Sequence, residues 1–393
     1  GALASTFSDT FWFSAVEGEV YAMSSFFTAL VFWAILKWEK VADEPHAFRW
    51  LIFIAYMVGL SIGVHLLNLL AIPAIAFVYY FKKYRVSTKG VLKTATISIL
   101  LLAFIMYIIV PEIVNQFAKT ELLFVNTFGL PFNSGTLFFV VVLIGLCITG
   151  ILYTIKENVT PALRWTLLTL LGLLVVLILV GSSSGGNFVI RLMVCGVLLT
   201  LLYFVRYRKA LLNTVILSFV FILIGYSSFL LIIIRANANT PINENEPSDA
   251  ISLLSYLNRE QYGDWPIFYG QYYNAPLDVE NPYKDDNPIY VKDEKAGKYI
   301  VTDDRKSSVP NYDSRFCTIF PRMWSNQKDS HITAYKQWGR VKGHAIRYTD
   351  RQGETQVIQK PTFGENLRFF FRYQVGHMYW RYFLWNFVGR QND

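Results

Sequence analysis

Charge is the first thing this sequence has little of. Asp, Glu, Lys and Arg together make up 16% of its 393 residues, against roughly 25% in a water-soluble domain. That excludes reading the whole chain as one or more soluble domains. Cysteine is nearly absent too: Cys147 and Cys195 fall inside apolar runs and Cys317 stands alone in a polar stretch. No disulfide framework or zinc signature can be built from that set. The run Gly181-Ser182-Ser183-Ser184-Gly185-Gly186 has no strand before it and no Lys-Ser/Thr after it, so it is a tight turn and not a phosphate loop. His331, His344 and His377 lack metal-ligand spacing, and there is no nucleophile elbow or dinucleotide fingerprint. A signal-peptide pattern is also missing, and the start at Gly1-Ala2-Leu3 with an end just past an aromatic segment reads as an internal fragment of a longer protein.

What is present is apolar. Hydrophobic residues reach 53% and mean hydropathy is +0.34. Eight runs stand out: Val20–Leu36, Trp50–Ile62, Leu66–Phe81, Val91–Val110, Leu137–Ile155, Trp165–Val180, Phe188–Val205 and Leu211–Ile234. Each approaches the ~20 residues that cross a bilayer as a helix. The net charge of +8 does not point to nucleic acid, because the basic residues sit in short loops between runs. Lys37, Lys40 and Arg49; Lys82, Lys83, Arg85 and Lys89; Lys156 and Arg164; and Arg206, Arg208 and Lys209 fall on one side, and only Lys119 on the other. The basic side is expected to be cytoplasmic. Trp50–Phe81 has basic clusters at both ends, so it must cross twice, turning near Gly63-Val64-His65. The Pro111–Thr136 and Ser182–Asn187 segments are expected as outer loops.

From Ala236 the chain turns polar and rich in Asn and Pro. Ser248–Glu260 reads as an amphipathic helix with Ser248 or Asp249 as N-cap. Residues 265–360 mix strand-like pieces (Ile289–Val291, Tyr299–Thr302, Gln356–Ile358) with turns, as expected of a small mixed α/β domain. Leu367–Phe387 interleaves aromatics with Arg368, Arg372 and Arg381, a composition that suits a helix on the membrane surface; the alternative is a core helix of the outer domain. The expected fold is therefore a membrane all-α protein of about eight spans over 1–235. A small α/β extracytoplasmic domain over 236–362 and an interfacial aromatic helix over 363–393 follow.

This parse brings scattered ionisable groups to the outer leaflet, where they are costly and usually functional. Glu17 and Glu19 lie at the mouth of the first span, His65 at the outer turn, Arg191 four residues into the seventh span and Arg235 at the end of the eighth. Each has a plain structural alternative: the glutamates complementing a helix N-terminus, His65 hydrogen-bonded in its turn, Arg191 paired with a helix carboxylate, and Arg235 snorkelling to headgroups. Asp285-Asp286 and Asp303-Asp304 could hold a divalent cation, but the Lys and Asn around them suit solvated turns.

Four blocks carry a resemblance. Ser8-Asp9-Thr10-Phe11-Trp12-Phe13-Ser14-Ala15-Val16-Glu17-Gly18-Glu19-Val20-Tyr21-Ala22 resembles the segment that opens a span in a bacterial family of GT-C-type membrane glycosyltransferases, similar to the transmembrane protein O-mannosyltransferases of eukaryotes. Gly59–Asn68, Arg235–Pro241 and Phe363–Phe370 look like further blocks of the same proteins. The resemblance implies an enzyme of the bacterial inner membrane with its C-terminal domain outside the cytoplasm. It would transfer a sugar from a polyprenyl-phosphate donor to a protein hydroxyl, with the bilayer, the donor and an acceptor protein as partners and a divalent metal left open. On that reading Glu17, Glu19 and His65 are the catalytic candidates, and Arg191, Arg235 and Asn68 the substrate-binding ones. The family's principal acidic motif would lie in an outer loop upstream of Gly1. The rival reading is a non-catalytic membrane transporter or assembly scaffold. Transporters place their polar groups near the midplane on broken helices, which is not the pattern here.

Overall fold

A computed structural model describes residues 2–6, 9–18, 20–180, 185–238, 240–260 and 265–384. Contacts divide the chain into two units. One comprises 1–260 with 292–299, the other 261–291 with 300–393. The amphipathic helix beyond residue 235 belongs to the first unit and packs on its bundle.

In the first unit, two short helices (Ala2–Thr6 and Asp9–Val16) precede α1 (Val20–Val41), α2 (Phe48–Ile62), α3 (Leu66–Lys83), α4 (Thr88–Thr127), α5 (Ser134–Ile155), α6 (Pro161–Val180), α7 (Gly185–Val205), α8 (Lys209–Ala236) and α9 (Ala250–Asn258). Six of them are long and apolar enough to cross a membrane: α1, α3, α4, α5, α6 and α8. The other two expected spans are shorter apolar helices among the described residues, Phe48–Ile62 and Arg191–Phe204. Of the about eight spans expected, six are thus helices long and apolar enough to cross a membrane, and two correspond to shorter apolar helices. Helix α5 shows why these are membrane segments. It buries Phe139 and Val142 while exposing Leu137, Val141, Ile144 and Ile148, and a helix apolar on all sides is stable only out of water.

The double crossing of Trp50–Phe81 is visible in side-chain contacts. Helix α1 runs antiparallel to α2, with Trp33 against Trp50. It runs parallel to α3: Ser24 and Thr28 meet Asn68, Trp38 stacks on Tyr79, and Lys83 bonds Ala42 O and Asp43. The chain therefore reverses between α2 and α3, at residues 63–65. Helices α2 and α8 run parallel and nearly touch. A Cβ on Gly59 would meet Ile222 O at 2.3 Å, and one on Gly225 would meet Leu60 N at 2.5 Å. Small residues at such crossings let backbones approach where no hydrophobic drive exists.

The segment Pro111–Thr136 departs from expectation, being mostly helix and not a loop. Helix α4 continues through Pro111 to Thr127 because π turns at Ile105–Ile109 and Leu123–Thr127 absorb the irregularity. Pro111 stands in the first turn after the first π segment, where a missing N–H and a fixed φ cost little. At 1.5 Å per residue this 40-residue helix is ~60 Å long, twice the ~30 Å of a hydrocarbon core. Its far half packs antiparallel to α5, with Phe117 on Phe139 and Phe124 on Phe138. Gly135 permits that approach, since a Cβ there would meet Thr120 O at 2.2 Å. Helix α9, capped by Asp249 as expected, packs on the same half of α4.

The second unit holds β1 (Tyr269–Gln271), β2 (Tyr283–Lys284), β5 (Val309–Pro310), β6 (Cys317–Ile319), β7 (His344–Thr349) and β8 (Thr355–Lys360). The hairpin β3 (Ile289–Asp293) and β4 (Lys298–Asp303) lies at its border, with its tip 292–299 in the first unit. Strands pair two by two: β1 with β6, β2 with β5, β3 with β4 and β7 with β8. Helix α10 (Asp329–Gly339) and the helical stretch 363–384, called α11, complete it. Tyr272, Tyr273, Met323, Tyr335 and Phe369 form its core. The start of α11 is therefore a core helix, the alternative weighed for the aromatic segment, while Phe371, Tyr379, Trp380 and Tyr382 further along are exposed. Its residues 385–393 lie outside the described part.

Candidate functional site

The turn between α2 and α3 builds a polar group from helices α1 and α3. His65 caps the 3-10 opening of α3, its Nδ1 accepting from the Leu67 N–H at 3.2 Å. With Nδ1 occupied as acceptor, the neutral ring carries its proton on Nε2. The ring lies 6.2 Å from that of Tyr21, the second residue of α1. One turn after His65, Asn68 is only 6% exposed. Its Oδ1 accepts from Ser24 Oγ at 2.7 Å and Thr28 Oγ1 at 2.9 Å, while its Nδ2 has no partner among the described residues. A buried amide donor left unsatisfied costs about 1–3 kcal/mol, and such groups call for an explanation. A ligand oxygen would supply one.

Glu17 is exposed at the bend between the second short helix and α1, where Gly18 takes φ +72°. It comes four residues before Tyr21, so it belongs to the same end of the bundle. Glu19 lies outside the described residues. Arg235 is exposed near the end of α8, seven residues past Ser228, whose hydroxyl faces Gly63; that is ~10 Å along the helix. Its guanidinium makes no hydrogen bond or ion pair among the described residues.

Arg191 is different. Its Nη2 pairs with Glu112 Oε2 at 3.1 Å and its Nη1 donates to Ile178 O at 3.0 Å. The two side chains are only 18% and 25% exposed. Arg191 thus makes the structural alternative, a pairing with a helix carboxylate. Asn115 and Gln116 also donate to Glu112, fixing the carboxylate in place. Among the described residues no hydrogen bond, ion pair or ring contact joins Arg191 or Arg235 to His65 or Asn68.

Glu112 and Glu121 were missed from sequence because they lie in the stretch read as a loop. Glu121 is fully buried and accepts from the Asn133 and Thr136 backbone N–H groups and the Thr136 hydroxyl. It thereby caps α5, which has no side-chain cap of its own. A signal existed: Val114, Ala118, Glu121 and Val125, all buried, recur at helical spacing.

The aspartate pairs behave as turns. Asp286 pairs with Arg305 at 3.0 Å, Asp285 accepts from Ser307 N, and Asp303 accepts from Arg305 N. The Lys306 backbone N–H and ammonium hold the Asp304 carboxyl below the usual carboxylate range. No group of three or more His, Cys, Asp or Glu side chains suited to a metal occurs among the described residues.

Comparison with known proteins gives two family matches. Residues 263–371 match a family of unknown function, DUF8416. A search of curated proteins and one of solved structures each return no match. Residues 1–88 match the model of the N-terminal domain of the protein O-mannosyl-transferase TMEM260, which supports a relationship to that family over the segment holding Glu17, His65 and Asn68.

Proposed function

We propose that this chain is part of a GT-C-type membrane glycosyltransferase that moves a sugar from a polyprenyl-phosphate donor to a protein hydroxyl at the outer leaflet. The observation that carries the reading is a coincidence of place. The segment matched by the O-mannosyl-transferase model, 1–88, is the one whose helices α1–α3 assemble Tyr21, Ser24, Thr28, His65 and Asn68. The unpartnered Asn68 amide is a donor suited to a sugar hydroxyl or phosphate oxygen. Inverting transfer needs a carboxylate to take or orient the acceptor proton and a cation for the departing phosphate. Glu17 supplies a carboxylate at this end of the bundle, and Glu19, two residues on in the sequence, remains the second acidic candidate. Arg235, with its guanidinium unengaged, is the better placed arginine for the phosphate, because Arg191 is committed to Glu112.

The gathering of basic residues at the opposite end, where Lys209 bonds Lys156 O and Lys83 bonds Ala42 O, supports a cytoplasmic assignment for that end. The test is to measure donor and acceptor kinetics separately in the full-length protein. Arg235→Ala is expected to raise donor KM roughly ten- to a hundred-fold while leaving acceptor KM nearly unchanged. Glu17→Gln lowers kcat more than it raises donor KM. Equal, small effects in both variants would favour the scaffold reading.

A further inference from the structure

A cavity of about 920 Å³ opens between α2, α3, α4 and α8. Its walls are apolar along most of their height, with Ile54, Ile72, Ile97, Ile105 and Phe219 among them. Charge enters only at the basic end, where Arg85 and Lys93 line the mouth. Both side chains are exposed and neither makes an ion pair among the described residues. This contrasts with Lys82 and Lys83 nearby, which are both engaged by Asp43. The backbone that carries Arg85 is held in place. Tyr80 Oη donates to Arg85 O at 3.1 Å and accepts from Ser87 N at 3.1 Å. Gly90 leaves room for that phenol, since a Cβ there would lie 1.9 Å from Tyr80 Oη. A greasy slot with two unneutralised cations at one rim is complementary to a molecule with acyl chains and a single anionic head. Juxtamembrane Lys and Arg attract anionic lipids, and pockets of ~300–1,000 Å³ hold molecules of drug or lipid-chain size.

We infer that this slot is a binding site for an anionic phosphoglycerolipid, with its acyl chains between α2, α3, α4 and α8 and its phosphate against Arg85 and Lys93. The charged mouth at Arg85 and Lys93 lies at the opposite end of the bundle from His65 and Asn68, while the apolar walls extend as far as Ile72, one turn from Asn68; the headgroup site is therefore distinct from the polar group around Asn68. Occupancy would tie α3–α4 to α2–α8 and fill a volume that is otherwise open.

The test is lipid retention. The protein is placed in nanodiscs of equal phosphatidylcholine and phosphatidylglycerol, released into the gas phase, and its retained lipids are weighed by native mass spectrometry. Wild type is expected to keep phosphatidylglycerol in preference to phosphatidylcholine. Two cations contribute roughly thirty-fold to that preference, so Arg85→Gln/Lys93→Gln should abolish it while leaving the thermal unfolding midpoint in phosphatidylcholine discs unchanged. Ile97→Trp, which fills the slot, should reduce retention of both lipids. Equal retention of the two lipids by wild type, or a preference that survives the double substitution, would overturn the assignment. A dimer mass without retained lipid would overturn it in favour of a second copy covering the slot.

Discussion

Arg191 and Glu112 offer a sharp test because their two possible roles move different measurements. The pair is at 3.1 Å with both side chains largely screened from solvent, and Arg191 has a second bond to Ile178 O. Removing one partner of a fully buried pair costs about 3–5 kcal/mol. Partial exposure reduces that here to about 2 kcal/mol, the range of a single charge-assisted hydrogen bond, helped by the bond Arg191 keeps to Ile178 O when Glu112 is changed and by those Glu112 keeps from Asn115 and Gln116 when Arg191 is changed. Glu112→Gln and Arg191→Gln should each destabilise the bundle by about that much, since each leaves one charge without its mate. The double variant leaves no orphan charge and should also cost about 2 kcal/mol, giving a coupling energy of about 2 kcal/mol. Reversible unfolding in mixed detergent–lipid micelles reads all four corners of the cycle. Additive effects would refute the pairing, as would an Arg191→Gln variant of unchanged stability that has lost donor binding. The latter would restore Arg191 to the phosphate site.

Other predictions follow from single contacts. Gly225→Leu forces a side chain into Leu60 N and Tyr56 O, and should cost about 3 kcal/mol or more of bundle stability by overpacking; wild-type stability in the same unfolding assay would show that α2 and α8 are not in contact. Glu121→Ala removes the buried cap of α5 and should cost about 2 kcal/mol, seen as faster hydrogen exchange at Asn133 and Thr136. In the second unit, burial raises the Glu365 pKa, but hydrogen bonds from Thr362, Lys342 and Gly343 outweigh it and hold the carboxyl below its ordinary 4.5. Its folded value being depressed, Glu365 stabilises above about pH 4.5 and that contribution is lost as pH falls through the folded value. Protection of the Lys342 and Gly343 amides should therefore drop below pH 4.5 in wild type and lose that pH dependence in Glu365→Gln, whose amide oxygen can still accept from both; pH-independent protection in wild type would contradict this. Labelling from outside intact cells should modify Cys317 and spare a cysteine placed at Thr88, whereas modification at Thr88 would invert the orientation.

Much of the bundle was legible because membrane segments are written in composition alone. The turn at residues 63–65 was legible for a firmer reason: Lys37 and Lys40 at one end and Lys82 and Lys83 at the other could not share a side unless the chain reversed. What stayed hidden was helix α4 beyond Pro111. Proline normally ends a helix, and only the preceding π turn, which has no sequence signature, lets this one continue. That one misreading also hid the partner of Arg191, because Glu112 was placed in a loop. The polar residues around Asn68 were half visible. Asn68 was singled out within a resembling block, but Ser24 and Thr28 look like ordinary span residues until α1 and α3 are seen side by side. The aromatic segment after Leu367 was ambiguous because Phe and Tyr serve a membrane interface and a protein core equally, and Phe369 and Phe371 do face opposite ways.

The central claim is that sugar transfer takes place at the end of the bundle where Asn68 presents an unpartnered amide. The most direct measurement is transfer of mannose from polyprenyl-phosphate mannose to an acceptor protein by the full-length protein in proteoliposomes. Wild type should be compared with Asn68→Ala and with Ser24→Ala/Thr28→Ala. The account predicts transfer by wild type and a loss of about tenfold in kcat/KM for Asn68→Ala, the worth of one hydrogen bond to substrate. The Ser24/Thr28 variant, which keeps the Asn68 amide, should lose less. No transfer by wild type, or an Asn68→Ala variant as active as wild type, would contradict it.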